Sequence, residues 1–102
     1  MEFEWDENKN LTNTKDHESI SFEDATEVFN DIWAIDEYDS EHSTADERRF
    51  TIIGLADGWL LRVTYAVISE GTDEEIFRII SVRKAQSTDK ENYEKARNIY
   101  DR

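Results

Sequence analysis

The sequence predicts an α+β domain in which two early helices and one terminal helix serve an antiparallel sheet. Three observations carry this. Helix-start signals sit at residues 6 and 21, period-two apolar runs with turn residues between them fill residues 33–85, and a helical apolar stripe closes the chain. The 102 residues fit one domain, 1–102, with no proline, repeat or linker.

Phe3 and Trp5 alternate with acids, which reads as a short half-buried strand. Asp6 is placed as an N-cap for a helix over Glu7 to Lys15, although that stretch carries little apolar pattern. Ser21-Phe22-Glu23-Asp24 is a stronger start. Ser21 caps, Asp24 completes a capping box, and Ile20 can staple onto Ala25. Phe22, Ala25, Val28, Phe29 and Ile32 supply the buried stripe of this helix. Trp33 to Tyr38 then reads as a strand, Asp39 to Asp46 as a polar turn, and Arg49 to Leu55 as a strong strand. Asp57-Gly58 is a hairpin signal before the strand Trp59 to Ser69. Gly71-Thr72-Asp73 turns the chain into a last strand, Glu75 to Ala85. Thr88 caps a helix from Asp89 to Tyr100, with Glu91 as box partner and Tyr93, Ala96, Ile99 and Tyr100 as its stripe. The expected order is β-α-α-β-β-β-β-α: a short N-terminal strand and two helices, a four-stranded antiparallel meander and a C-terminal helix, with the helices packed on one face.

Hydrophobic residues make up only 37 %, but twelve aromatics, three of them Trp, offset this by burying large areas. With no cysteine there is no disulfide or thiolate metal site. Met1 leads straight into the alternating strand with no basic and apolar leader, and no run approaches membrane-spanning length, so a cytoplasmic, membrane-free protein is expected. The net charge is −13, unevenly spread. Residues 1–77 hold five Lys/Arg against twenty-one Asp/Glu, whereas residues 78–102 hold seven against four. A local cationic site can therefore exist on an acidic body, although the summed field repels phosphate at long range.

The punctuation of the chain resembles the BrnT family. The residues that carry the resemblance are Phe3-Glu4-Trp5-Asp6, then Lys9, Asn13 and His17, then Ser21-Phe22-Glu23-Asp24-Ala25. Glu47-Arg48-Arg49, Ile53-Gly54, Phe77-Arg78-Ile79-Ile80-Ser81-Val82-Arg83-Lys84-Ala85 and Tyr93 follow in the same order. One segment departs: Lys15-Asp16-His17-Glu18-Ser19-Ile20-Ser21 has its lysine displaced by one position, carries one inserted residue and lacks a glycine, so the first interhelical turn must differ. The resemblance implies a RelE-like fold, cleavage of RNA, and neutralisation by a BrnA-like antitoxin with a ribbon-helix-helix part. It also implies contact with DNA only through the antitoxin complex, which represses its own operon.

RNA cleavage by attack of a 2′-hydroxyl on the adjacent phosphorus needs a proton acceptor, a proton donor and stabilisation of charge on phosphate. It requires neither metal nor cofactor. Guanidinium forks suit the phosphate oxygens. Arg49, Arg78 and Arg83 lie on or beside predicted strands that would hold them rigidly, with Lys84 next to Arg83. In an unbroken strand Arg78 and Arg83 face opposite sides, so either a bulge realigns them or only Arg83 belongs to the site. Glu47 is the candidate base, two residues before Arg49, and His17 a candidate acid or base, since imidazole titrates near neutrality. Lys9 and Tyr93 are candidate substrate contacts. The bland alternatives are solvated arginines and acids, a helix-capping His17, an exposed Lys9 and a core Tyr93. His42 with Asp36, Asp39 and Glu41 has no metal-site spacing and reads as a polar loop. The leading reading is thus a ribonuclease. Its rivals are a non-catalytic relative that only binds a ribbon-helix-helix antitoxin and, more remotely, an acidic nucleic-acid mimic.

Overall fold

The computed structural model describes residues 1–17 and 19–100, the last two by backbone alone. The elements run β1 (Glu2–Glu4), α1 (Glu7–Asp16), α2 (Phe22–Val28), β2 (Ile35–Tyr38), β3 (Arg48–Ala56), β4 (Trp59–Ile68), β5 (Ile76–Lys84) and α3 (Ser87–Tyr100). This is the predicted order. Strands β2 to β5 form the antiparallel meander, and β1 joins parallel to β5, so the sheet reads β1-β5-β4-β3-β2. Asp57 and Gly58 both take positive φ (47° and 84°), as the two-residue hairpin between β3 and β4 demands.

One sheet face, the inner face, carries the main core. Ile52, Leu61, Val63, Tyr65, Val67, Ile79 and Val82 pack there against Phe22, Ala25 and Val28 of α2. The capping box forms as expected, with Asp24 N–H donating to Ser21 Oγ (3.1 Å) and Ser21 N–H to Asp24 Oδ2 (2.9 Å). Gly54 lets α2 lie directly on β3, because a Cβ there would stand 2.9 Å from Val28 Cγ1. The buried Tyr65 hydroxyl donates to Asp36 on β2 (2.6 Å). Two expectations fail at the end of α2. The helix stops at Val28, and Ile32 is 84 % exposed rather than part of the stripe. Asp31 is the reason: its Oδ1 accepts the Trp33 N–H (2.9 Å) and holds residues 31–33 in a turn, so the strand begins at Ile35.

The third helix also departs from expectation. It lies across the opposite, outer face, not beside α2. Its Asp89 bonds Arg62 and Arg83, whose side chains alternate away from the inner face. The Asp89 carboxylate also accepts the Gln86 N–H (2.9 Å), which starts the helix at Ser87 and leaves Thr88 inside the first turn instead of capping it. Tyr93 is buried. The stripe expected for Ile99 and Tyr100 concerns side chains outside the described residues.

Asp31 closes the molecule. Its Oδ2 accepts the Tyr93 hydroxyl (2.6 Å) and the Leu55 N–H (2.8 Å), so one carboxylate joins α3, the end of β3 and the α2–β2 turn. Burial alone would raise its pKa. The bonds from Tyr93, Leu55 and Trp33 and the charge of Arg97 outweigh burial and hold it below the ordinary 3.8. The Tyr93 phenol is pushed up to about 12 by burial and by Asp31.

Helix α1 has almost no apolar face. Polar bonds hold it. Buried Asn10 accepts the Phe22 N–H on Oδ1 (2.8 Å) and donates to Glu23 (2.7 Å), which ties α1 to α2. Buried Asn13 donates to the Ile20 carbonyl (3.1 Å) and accepts the Val82 N–H (3.1 Å), which ties α1 to β5. Beyond α1 the chain turns through Ser19 at φ 68°, a left-handed position filled without glycine. No helix among the described residues is long and apolar enough to cross a membrane.

Asn13→Ala strands two buried polar groups, and is expected to lower the unfolding free energy by about 2 kcal/mol, read by urea unfolding with tryptophan fluorescence. An unchanged midpoint would show that α1 is held otherwise. Asp31→Asn is expected to cost about 2 kcal/mol near neutrality, because the lost acceptor is ionised. A depressed carboxyl contributes in full above 3.8 and loses that contribution as pH falls through its folded value. The gap between wild type and Asp31→Asn should therefore close in acid; a gap constant from pH 7 to pH 2 would contradict the assignment.

Candidate active site on the outer sheet face

Strand alternation and register decide which side chains share the outer face. The row Arg49–Ala66–Arg78–Glu4 crosses β3, β4, β5 and β1. The next row is Glu37–Thr51–Thr64–Ser81, and the third is Ile35–Ile53–Arg62–Arg83. The register of β5 shifts at one place: Thr64 pairs with Ser81 while Tyr65 pairs with Ile79, so Ile80 is the extra residue of a bulge. That single residue turns Arg78 onto the face that carries Arg83. Thr51, Ile53 and Ala66 of these rows are buried; what stays accessible is Thr64 and Ser81 between the arginines of the first and third rows. Helix α3 packs against β2 and β3 and reaches the third row through Asp89.

At one end, Arg62, Thr64, Ser81 and Arg83 share a small cleft with His17. His17 is the C-cap of α1, its own N–H bonded to Asn13 O (2.9 Å). The same Asn13 fixes α1 to Val82, one residue from Arg83, and so delivers the imidazole to the cleft. Beneath the two guanidiniums lies Asp89, 5 % exposed. Its Oδ1 accepts from Arg62 Nη1 (2.9 Å) and its Oδ2 from Arg83 Nη1 (3.1 Å). Burial would raise the Asp89 pKa, but the Gln86 N–H and the two arginines lower it below the ordinary value.

The other end is two rows away, about 13 Å along the strands. There Arg49 Nε bonds Glu47 Oε1 (2.9 Å), and Arg78 is paired with Glu4 (2.8 Å). Arg49 and Arg78 stand on strands two apart, about 10 Å. Glu47 is thus on the same face as His17 and Arg83 but outside their cleft. Lys9 is exposed on α1 and lines a shallow groove with His17, Asn13 and Ile80. Eight residues of helical rise, about 12 Å, separate Lys9 from His17.

Two candidates are directed elsewhere. Lys84 lines a pocket with His17 and Arg83, but its side chain points to the inner face, its Nζ 3.8 Å from the centre of the Trp59 ring. The Tyr93 hydroxyl is engaged by Asp31 under α3. His42 bonds Asp39 (2.8 Å) in the loop before β3, apart from the cleft.

Sequence reasoning missed Arg62, Thr64, Ser81 and Asp89 as neighbours of Arg83. A signal existed for Arg62 and Thr64. In a strand that buries Leu61, Val63 and Tyr65, the intervening polar residues must share the opposite face. Asp89 had no such signal, since an acid in a first helical turn is ordinary.

No curated protein sequence matches the chain. A family profile does match, over residues 5–89, and it is described as ribonuclease toxin, BrnT, of type II toxin–antitoxin system. The matched stretch runs from Trp5 through Asp89 and includes His17, Glu47, Arg49, Arg62, Arg78 and Arg83. The chain belongs to the BrnT family of ribonuclease toxins of type II toxin–antitoxin systems.

Proposed function

We propose that the chain cleaves single-stranded RNA without a metal ion, by attack of a ribose 2′-hydroxyl on the adjacent phosphorus at the cleft of His17 and Arg83. The observation that carries this reading is the β5 bulge. It gathers Arg78 and Arg83 on one open face with Arg49, beside an imidazole and a row of hydroxyls.

In this reading His17 takes the proton of the 2′-hydroxyl and returns it to the leaving 5′-oxygen. The bond from O2′ to phosphorus forms as the bond from phosphorus to O5′ breaks, leaving a 2′,3′-cyclic phosphate and a 5′-hydroxyl. Arg83 meets the charge that develops on the non-bridging oxygens, where a fixed guanidinium is worth more than in water. Thr64 and Ser81 contact the ribose, and Arg49 with Glu47 and Arg78 hold a neighbouring phosphate. Lys9 steers the strand toward the cleft from α1. Neutralisation falls to a BrnA-like antitoxin with a basic ribbon-helix-helix part, and any contact with DNA is made by that partner in the complex. The place of action is the cytoplasm.

One observation favours a second reading. Each of the four outer-face arginines already holds a carboxylate. A domain so neutralised, within a chain of net charge −13, would serve as a silent antitoxin-binding protein.

Purified chain, free of partner, incubated with RNA in EDTA separates the two. The catalytic reading expects cyclic-phosphate products, with the rate reduced about 10²- to 10³-fold by Arg83→Ala. His17→Ala should reduce it by about 10²-fold or more. Intact RNA, with tight binding of a basic ribbon-helix-helix protein, would leave the silent reading in place.

A further inference from the structure

Arg62 and Arg83 stand directly opposite each other on adjacent antiparallel strands, about 5 Å apart at the backbone. Like charges in that relation repel. The pair persists because one carboxylate is set between them from the buried side. Asp89 gives one oxygen to each guanidinium, and both contacts use Nη1. Arg83 Nη1 also reaches the Lys84 carbonyl (3.0 Å). The Nε and Nη2 groups of both arginines make no hydrogen bond among the described residues. Their side chains keep 37 % and 31 % exposure, against 8 % for Asp89, and both line the cleft of His17. Within this trio two positive charges meet one negative charge, an excess of one beside the cleft of His17, while Asp16 lines the adjoining pocket with Arg83.

We propose that Arg62 is the second arm of a phosphate clamp, acting with Arg83 on one phosphate of single-stranded RNA, and that Asp89 is the positioning residue that holds both arms. This rests on the outer face being the RNA site. It deepens that reading by assigning a contact to a residue no sequence motif singled out. A phosphodiester fits because its two non-bridging oxygens can each take an N–H pair from a separate planar fork. Asp89 contributes by orientation alone. It is too buried to meet the RNA, and its bonds to Gln86 and both arginines keep the forks from swinging onto the many other acids.

The test uses the intact chain and a labelled ten-nucleotide RNA with 2′-O-methyl riboses, which binds but cannot be cleaved by 2′ attack. Anisotropy titrations at several salt concentrations are run on wild type, Arg62→Ala and Arg62→Gln. The glutamine keeps a polar N–H donor and much of the side-chain stem while removing the charge and the fork, so it serves if the alanine variant misfolds. Either variant is expected to weaken binding by about tenfold or more, as loss of a charged hydrogen bond does. Either should also flatten the slope of log affinity against log salt by about 0.7, the value of one phosphate contact on a single strand. Affinity and slope equal to wild type would overturn the clamp, even if cleavage of unmodified RNA fell, because a purely structural Arg62 leaves the salt slope untouched. Absence of salt-dependent binding by wild type would overturn it as well. Binding and slope loss as expected, with no cleavage by wild type, would keep the clamp and refute the ribonuclease reading alone.

Discussion

A single hydrogen bond, from the Val82 N–H to Asn13 Oδ1 (3.1 Å), sets the geometry on which the outer face depends. Strand β1 pairs with β5 only over residues 76–78, so the rest of that edge offers its backbone groups to whatever covers it. Helix α1 covers it, but with amides instead of apolar side chains. Asn13 satisfies one buried strand donor and, through Ile20, ties down the start of α2. His17 is one helical turn further on. Its place beside Arg83 follows from the bond at Val82, which lies just past the Ile80 bulge. Edge satisfaction, helix placement and the imidazole's position are one arrangement.

The charge pattern has a comparable economy. An acidic body is a poor host for arginines that must stay available, because each mobile guanidinium finds a carboxylate. Here each outer-face arginine has a definite one. The pairs of Arg49 with Glu47 and of Arg78 with Glu4 are about one-third exposed or more on both sides, where ion pairs contribute little and are easily exchanged. Asp89 differs, being buried and shared. Two exchangeable pairs lie at one end of the face and a fixed, under-neutralised pair lies at the other. A polyanion arriving on this face competes with Glu4 and Glu47 but adds to Asp89.

Much of the fold was legible because its signals are local. Ser21 with Asp24, Asp57 with Gly58, and the alternation along β3 and β4 each act within a few residues, and each appears where the residues place it. The failures have physical causes of longer range. Ile32 left its stripe because Asp31 found partners on β3 and α3, far along the chain. The outer-face position of α3 was invisible because its first turn is anchored by Arg62 and Arg83, not by its apolar stripe. For the site, residue types were legible and neighbours were not. Lys84 follows Arg83 in sequence yet faces the opposite side, and Glu47 shares the face of His17 but not its cleft.

By itself, the sequence determined the element order, the inner-face core and the family to which the chain belongs, because capping, turn chemistry and period-two burial are short-range rules. Only the tertiary structure decided that Arg78 and Arg83 share a face. In an unbroken strand two residues five positions apart lie on opposite sides, and the insertion of Ile80 becomes visible only when β5 is laid in register against β4. The same register set Arg62 opposite Arg83 and drew Asp89 between them, since two guanidiniums held that close need a shared counter-charge.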